Sequence, residues 1–131
     1  MKLNLPMIKI WIEVLRSGKY KQTTGALRKA RINNQFEYCC LGVLCDITRP
    51  ILGNHWFYDK VSQRNFIHDK VFNLKQKFWL PQNVVMYMGF DDHNPWFLAV
   101  LNDKEVPFTA IAKQIFSIVV KEDQGWWQNK V

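Results

Sequence analysis

Residues 36–46 read FEYCCLGVLCD, and this stretch decides how the rest of the chain is interpreted. Aromatic residues alternate with a polar one up to Tyr38, and small and aliphatic residues then follow without alternation. This change of period predicts a strand that runs directly into a short, buried helix. Gly42 lies inside that helix, where the missing side chain allows another backbone to approach closely.

The size and composition of the chain predict one globular domain. Its 131 residues are 48% hydrophobic and 15% aromatic, which excludes a disordered protein. No apolar run approaches the ~20 residues of a membrane-spanning helix, and Lys9 and Glu13 interrupt any signal-peptide core. All three cysteines lie within residues 39–45 and form no disulfide framework. We therefore expect a reduced, cytoplasmic protein without a membrane partner.

The positive charge is concentrated at one end of the sequence. Residues 1–35 hold eight Lys and Arg side chains against Glu13 alone, so they carry the whole net charge of +7. The remaining residues are neutral overall. This asymmetry favours an anionic partner near the first quarter of the chain, although a solvated basic face explains it equally well.

The order of patterns predicts an α+β fold, with a small antiparallel sheet and about four helices in a single domain of residues 1–131. The N-terminal helix lies within residues 1–18, where Asn4 is the predicted N-cap and Gly18 the C-terminal stop. A strand hairpin and the buried cysteine helix occupy residues 24–48, and Pro50 is expected to end that helix. The C-terminal helix spans residues 107–121, and residues 122–131 form a tail.

The middle of the chain is less regular. Residues 55–58 and 65–68 are predicted to be short strands joined by a polar turn. A further helix opens at residues 80–83 and ends at Gly89. Residues 97–102 form a short apolar segment whose type the pattern leaves open.

Four segments in the same order resemble a family of small proteins found in tailed bacteriophages and prophages. The resemblance reaches from residue 11 to about residue 115, and its motifs are WIEVLRSGKYKQ (11–22), GALR (25–28), YCCLGVLCD (38–46) and LAVLND (98–103). The resemblance implies that the protein acts during phage infection, and it implies no specific activity. A small, non-structural phage protein of this kind is expected to act on host machinery, including antiviral defence, in the cytoplasm of the infected bacterium.

The basic segment of residues 16–31 is the leading candidate site. Arginine guanidinium groups and lysine ammonium groups bind phosphate, and an aromatic ring beside them can stack on the base or sugar that carries the phosphate. We therefore predict a binding protein without catalysis of its own, and without a cofactor, that holds a nucleotide-type anion of the host. In the structural alternative, Tyr20 covers the edge of the core and Arg28 pairs with Glu37 or Asp46. The predicted ligand-binding residues are Arg16, Lys19, Tyr20, Lys21, Gln22, Arg28 and Arg31.

Two other classes of function stay open. One is the binding of nucleic acid or the inhibition of a host nuclease. The other is a cysteine-dependent hydrolase or transferase, in which a helix dipole lowers the pKa of the Cys39 or Cys40 thiol. Such an enzyme would use His55, His68 or His93 as base, with Asp103 or Asn102 as the orienting residue. Packing of the cysteines in the core is the favoured interpretation, and their spacing lacks the second pair of a structural zinc site.

Two adjacent tryptophans follow the last predicted helix. Trp126 and Trp127 would either anchor a partner chain, in a homo-oligomer or on a host protein, or fold back onto the core.

Overall fold

The computed structural model describes residues 3–91 and 95–122, and these residues form five helices and six strands. The helices are α1 (Leu5–Arg16), α2 (Cys40–Leu52), α3 (Gln82–Met88), α4 (Trp96–Asp103) and α5 (Phe108–Glu122). The strands are β1 (Lys21–Gln22), β2 (Arg28–Ala30), β3 (Phe36–Tyr38), β4 (His55–Asp59), β5 (Arg64–Asp69) and β6 (Leu74–Gln76). The predicted α+β class is therefore confirmed, and the apolar segment left open by the sequence is α4.

The first helix forms as its local sequence predicts. Oδ1 of Asn4 accepts a hydrogen bond from the backbone N–H of Met7 at 3.2 Å, which satisfies one of the free donors of the first turn. Gly18 follows the helix with a φ of 77°. The apolar stripe at helical spacing is buried against the core: Ile8, Trp11, Ile12 and Leu15.

The first sheet has the order β1-β3-β2. Strands β2 and β3 form the predicted antiparallel hairpin, with Arg28 opposite Tyr38. Asn33 and Asn34 turn the chain between them with φ values of 64° and 59°. Strand β1 pairs parallel to β3. No pattern predicts it, because a strand of two residues carries no alternation.

The second sheet has the order β4-β5-β6, and both of its strand pairs are antiparallel. The two predicted strands at residues 55–58 and 65–68 are confirmed. No alternating pattern predicts β6, because Leu74 is its only apolar residue, and that side chain is exposed to solvent.

Helix α2 is the centre of the core. Its residues from Cys40 to Cys45 are all buried, and α1, α3 and α4 each pack against it. The predicted end of this helix before Pro50 is wrong, because α2 continues to Leu52 with the proline inside its last turn. Gly53 closes the helix in the left-handed conformation, where its N–H donates to the carbonyl of Arg49 at 2.9 Å.

No described helix is both long and apolar enough to cross a membrane. Trp126 and Trp127 lie outside the described residues, so the prediction of a partner interface there stays a prediction.

Candidate functional site

A groove of about 390 Å³ lies where the first sheet meets the second. We call it the basic groove, because four of its lining side chains are basic and none of the described residues that line it is acidic. Two aromatic rings, those of Tyr58 and Phe78, also face it. The basic residues are Arg28, Lys29, Arg64 and Lys77.

Backbone contacts bring these residues together from separate strands. Arg28 and Lys29 belong to β2, and Arg64 begins β5. Strand β2 packs against β5, and the N–H of Leu27 donates to the carbonyl of Lys77 at 2.8 Å. This hydrogen bond fixes the segment after β6 beside the start of β2 and so places Lys77 at the groove.

Arg28 is held at the groove by hydrogen bonds and by aromatic rings. Its Nε and Nη2 atoms both donate to Oδ1 of Asn65, at 3.1 and 2.7 Å. Its guanidinium lies 3.8 Å from the ring centre of Phe36 and 4.6 Å from that of Trp56, which are favourable cation–π distances. Partial burial lowers the pKa of Arg28, yet a guanidinium stays charged at physiological pH.

No carboxylate among the described residues forms an ion pair with Arg28. Glu37 pairs with Arg31 at 2.7 Å, and Asp46 pairs with Arg49 at 3.5 Å. The structural ion pair proposed for Arg28 is therefore absent from the described residues. The Asn65 amide and two rings contact its guanidinium, and Tyr38 and the more distant Asp46 also favour its charged form. A half-buried positive charge that lacks a direct ion pair attracts anions.

Lys77 is also held by aromatic rings. Its Nζ atom lies 5.1 Å from the ring centre of Phe78 and 5.6 Å from that of Phe66. Lys75 approaches the same Phe66 ring to 4.7 Å. Cations and rings thus alternate along this edge, the arrangement that suits phosphates joined to a planar group.

The seven predicted ligand-binding residues do not gather in one site. Three have structural partners. The hydroxyl of Tyr20 donates to Oδ2 of Asp46 at 2.5 Å, and burial raises the pKa of Tyr20. The amide of Gln22 bonds to the loop before α5, with its Nε2 atom 2.7 Å from the carbonyl of Val106. Arg31 is the partner of Glu37.

The other predicted residues are exposed or lie in the basic groove. Arg16, Lys19 and Lys21 are all exposed. Three of the seven predicted residues, Lys19, Tyr20 and Lys21, border a more open depression of about 440 Å³ that also contains the Asp46 carboxylate. Arg28 alone belongs to the basic groove.

Sequence reasoning missed Lys29, Arg64 and Lys77 as members of a site. Residues after 35 are neutral overall, so a charge count along the chain hides a local excess of cations in space. One usable signal was present in residues 75–79, which read KQKFW and join two lysines to two aromatic residues.

All three cysteines are buried, and this burial determines the pKa values of their thiols. Cys39 is the N-cap of α2, and its Sγ atom accepts from the N–H of Gly42 at 3.3 Å. Burial nevertheless raises the pKa of the Cys39 thiol to about 11, and it raises the pKa values of Cys40 and Cys45 as well. Desolvation therefore outweighs the helix dipole that was expected to lower the pKa.

Neither His55 nor His68 has a described contact with a thiol, and His93 lies outside the described residues. The exposed His55 ring lies 5.1 Å from the ring of His68, its cross-strand neighbour. Asp103 does lie near Cys39, since both line one cavity. A carboxylate next to a buried thiol disfavours the thiolate, so this geometry does not support a nucleophile.

The described residues contain no group of three or more His, Cys, Asp or Glu side chains that could hold a metal ion.

A protein-family model described as a domain of unknown function (DUF8296) matches residues 3–126. The chain belongs to this family. The match spans all the helices and strands described above, including the residues of the basic groove. No curated protein and no solved structure matches the chain.

Proposed function

We propose that this DUF8296 protein is a binding protein that holds a phosphate-bearing, nucleotide-type anion in its basic groove. The observation that carries the proposal is the composition of the groove, in which four cations and two aromatic rings face one cavity without an acidic side chain among its described lining. Repulsion among these cations is relieved when an anion enters. The predicted class of ligand is kept, and the proposed site joins Arg28 and Lys29 of residues 16–31 to Arg64 and Lys77 at the junction of the two sheets.

The size of the groove favours a small ligand over a long nucleic acid. A volume of about 390 Å³ lies within the range of small-molecule sites, roughly 300–1,000 Å³. The guanidinium of Arg28 and the ammonium of Lys77 offer the donors that phosphate oxygens accept. The resemblance of residues 11–115 to small phage proteins supports a role in which the ligand is a host nucleotide, and sequestering it would serve the phage against host defence.

Three variants with the same change of net charge test the groove. Arg64→Glu/Lys77→Glu alters the groove, Lys19→Glu/Lys21→Glu alters the predicted basic segment, and Lys9→Glu/Lys113→Glu alters two exposed helix positions as the control. Isothermal titration calorimetry with GTP, ATP and inorganic triphosphate measures binding, and circular dichroism checks the fold. We expect the groove variant to lose at least about tenfold in affinity, which corresponds to 1.4 kcal/mol, and the control to keep its affinity.

Two results would overturn the proposal. One is equal affinity in all three variants. The other is loss of binding in the Lys19/Lys21 variant alone. A wild-type protein that binds random duplex DNA at moderate salt but none of the three triphosphates would instead establish the nucleic-acid alternative.

The role in the host is tested separately. Expression of the protein in bacteria with a nucleotide-signalled antiviral defence is expected to raise phage plating, and the groove variant is expected to lose that effect. Equal plating with and without the protein would contradict the role in counter-defence while leaving the binding result untouched.

A further inference from the structure

A second cavity adjoins the basic groove. It has a volume of about 320 Å³, and we call it the Trp79 cavity. Ala26 and Phe78 line both cavities, so a single ligand that crosses these two residues reaches both. The residues of the Trp79 cavity are Gly25, Ala26, Cys39, Phe78, Trp79, Ala99 and Asp103.

The walls of this cavity suit a planar ring. Phe78 and Trp79 are 44% and 49% exposed. They directly follow Lys77, whose carbonyl accepts the hydrogen bond from Leu27. Large aromatic surfaces left in water mark ligand or partner sites. Stacking of a base on such a ring contributes about 1–3 kcal/mol.

One carboxylate gives the Trp79 cavity its polarity. Asp103 ends α4, and its Oδ1 atom accepts from the N–H of Gly25 at 3.0 Å. Gly25 has a φ of 77°, a conformation that turns its N–H towards the carboxylate and is readily adopted only by glycine. Asp103 forms no ion pair among the described residues. The carboxylate is thus oriented by one hydrogen bond while its remaining lone pairs can accept others.

The two cavities therefore have opposite electrostatic character. The basic groove attracts phosphate, whereas the Asp103 carboxylate, at the negative end of the α4 dipole, repels phosphate and accepts N–H groups. A ligand that satisfies both has phosphates at one end and a ring with N–H donors at the other.

We propose that the basic groove and the Trp79 cavity form one site for a guanine nucleotide. Its phosphates lie among Arg28, Arg64 and Lys77, and its base lies on Trp79. The adjacent N1–H and N2–H groups of guanine donate to the Asp103 carboxylate. Adenine presents an acceptor nitrogen at the corresponding edge, which a carboxylate does not bind. This assignment rests on the proposed function, because it names the ligand of the same groove.

The test compares GTP, ATP, xanthosine triphosphate and inorganic triphosphate by calorimetry. We expect the wild-type protein to bind GTP at least about tenfold more tightly than ATP, since a good bidentate contact discriminates by about 1–3 kcal/mol. Asp103→Asn keeps the acceptor for Gly25 but replaces one oxygen with a donor. It is expected to lose the preference for GTP and to gain binding of xanthosine triphosphate, whose base has a carbonyl in place of the N2 amine.

Controls separate this inference from the proposed function. Trp79→Ala is expected to weaken GTP and leave inorganic triphosphate unchanged, and Glu105→Gln, an exposed neutralisation nearby, is expected to change neither. Equal wild-type affinity for GTP, ATP and inorganic triphosphate would overturn the guanine assignment and leave the anion site standing. Retention of the GTP preference in Asp103→Asn would also overturn it. If none of the triphosphates binds, the proposed function itself fails.

Discussion

The backbone of Gly42 lies directly against the carbonyl group of Leu27, so closely that a Cβ atom on Gly42 would overlap that oxygen. The same oxygen accepts the N–H of Cys39 at 3.1 Å, and the N–H of Leu27 donates to Lys77 at 2.8 Å. One residue thus connects the central helix to the segment that carries the basic groove. The close backbone approach expected from Gly42 is confirmed.

Substitution of Gly42 tests this packing. Gly42→Ala is expected to lower the free energy of unfolding by about 3 kcal/mol, because the new methyl group must displace backbone rather than a flexible side chain. Urea unfolding followed by tryptophan fluorescence measures the change. Gly18→Ala is the control, since its Cβ would meet nothing within 4 Å and only the left-handed backbone costs about 1 kcal/mol. Equal losses in the two variants would contradict the contact.

The burial of all three cysteines predicts slow thiol chemistry. In the native protein at neutral pH we expect no rapid reaction with a disulfide reagent, because the thiols are inaccessible and their pKa values are raised. The three thiols should react together when the protein is unfolded in urea. Rapid and selective modification of Cys39 in the native state would instead revive the hydrolase hypothesis.

The raised thiol pKa values also predict a loss of stability in alkali. Burial raises the pKa of Cys39 from its ordinary value of 9.0 to about 11, so the unfolded chain releases the proton first. The stabilisation is complete below about pH 9 and is lost as the pH rises towards about 11. The raised pKa values of Tyr20 and Tyr38 act in the same direction.

Melting temperatures measured across this pH range test the linkage. We expect a plateau from neutral pH to about pH 9 and a fall above it. Cys39→Ser keeps a capping group and removes one titrating thiol, so its decline should be shallower. If the melting temperature increases as the pH rises beyond about 9, the predicted direction of the pH dependence is wrong.

A buried amide holds the N-terminal strand region to α4. Oδ1 of Asn102 accepts from the N–H of Cys40 at 3.1 Å and from Nε2 of Gln22 at 3.0 Å, and its Nδ2 donates to the carbonyl of Thr23 at 2.6 Å. Asn102→Ala is expected to cost about 3 kcal/mol or more, since each buried group left unpaired costs about 1–3 kcal/mol.

Asn102→Asp gives a sharper version of the same test. It has nearly the same shape but replaces the donor to Thr23 with a charged acceptor, so we expect a loss of stability at least as large. Lys113→Ala, at an exposed position of α5, is the control and should change the unfolding free energy by less than about 0.5 kcal/mol. Denaturation of all three variants in urea makes the comparison.

Features set by local sequence were predictable. Helix α1 formed between Asn4 and Gly18 because its cap, apolar period and stop signal lie within one segment. Helix α3 likewise ended at Gly89 as expected. The end of α2 was not predictable in this way, since Gly53 and its bond to Arg49 allow the helix to pass Pro50.

The candidate site depends on distant parts of the chain, so its composition could not be read along the sequence. Lys29 and Lys77 become neighbours of one groove only through the pairing of Leu27 with Lys77 and the packing of β2 on β5. Arg31 contributed to the basic charge count although Glu37 lies beside it in space. Net charge over a window of sequence does not record such compensation.

The long-range hydrogen bonds of the N-terminal region have a consequence for synthesis. Gln22 accepts from the backbone of Phe108, 86 residues later, and Asn4 donates to the carbonyl of Tyr87. A ribosome that adds about 5–20 residues per second needs roughly 4 to 17 seconds to make the intervening chain between Gln22 and Phe108. During that interval the side chain of Gln22 lacks its native partner at the start of α5, so the nascent protein acquires its finished tertiary structure only after translation has passed α4.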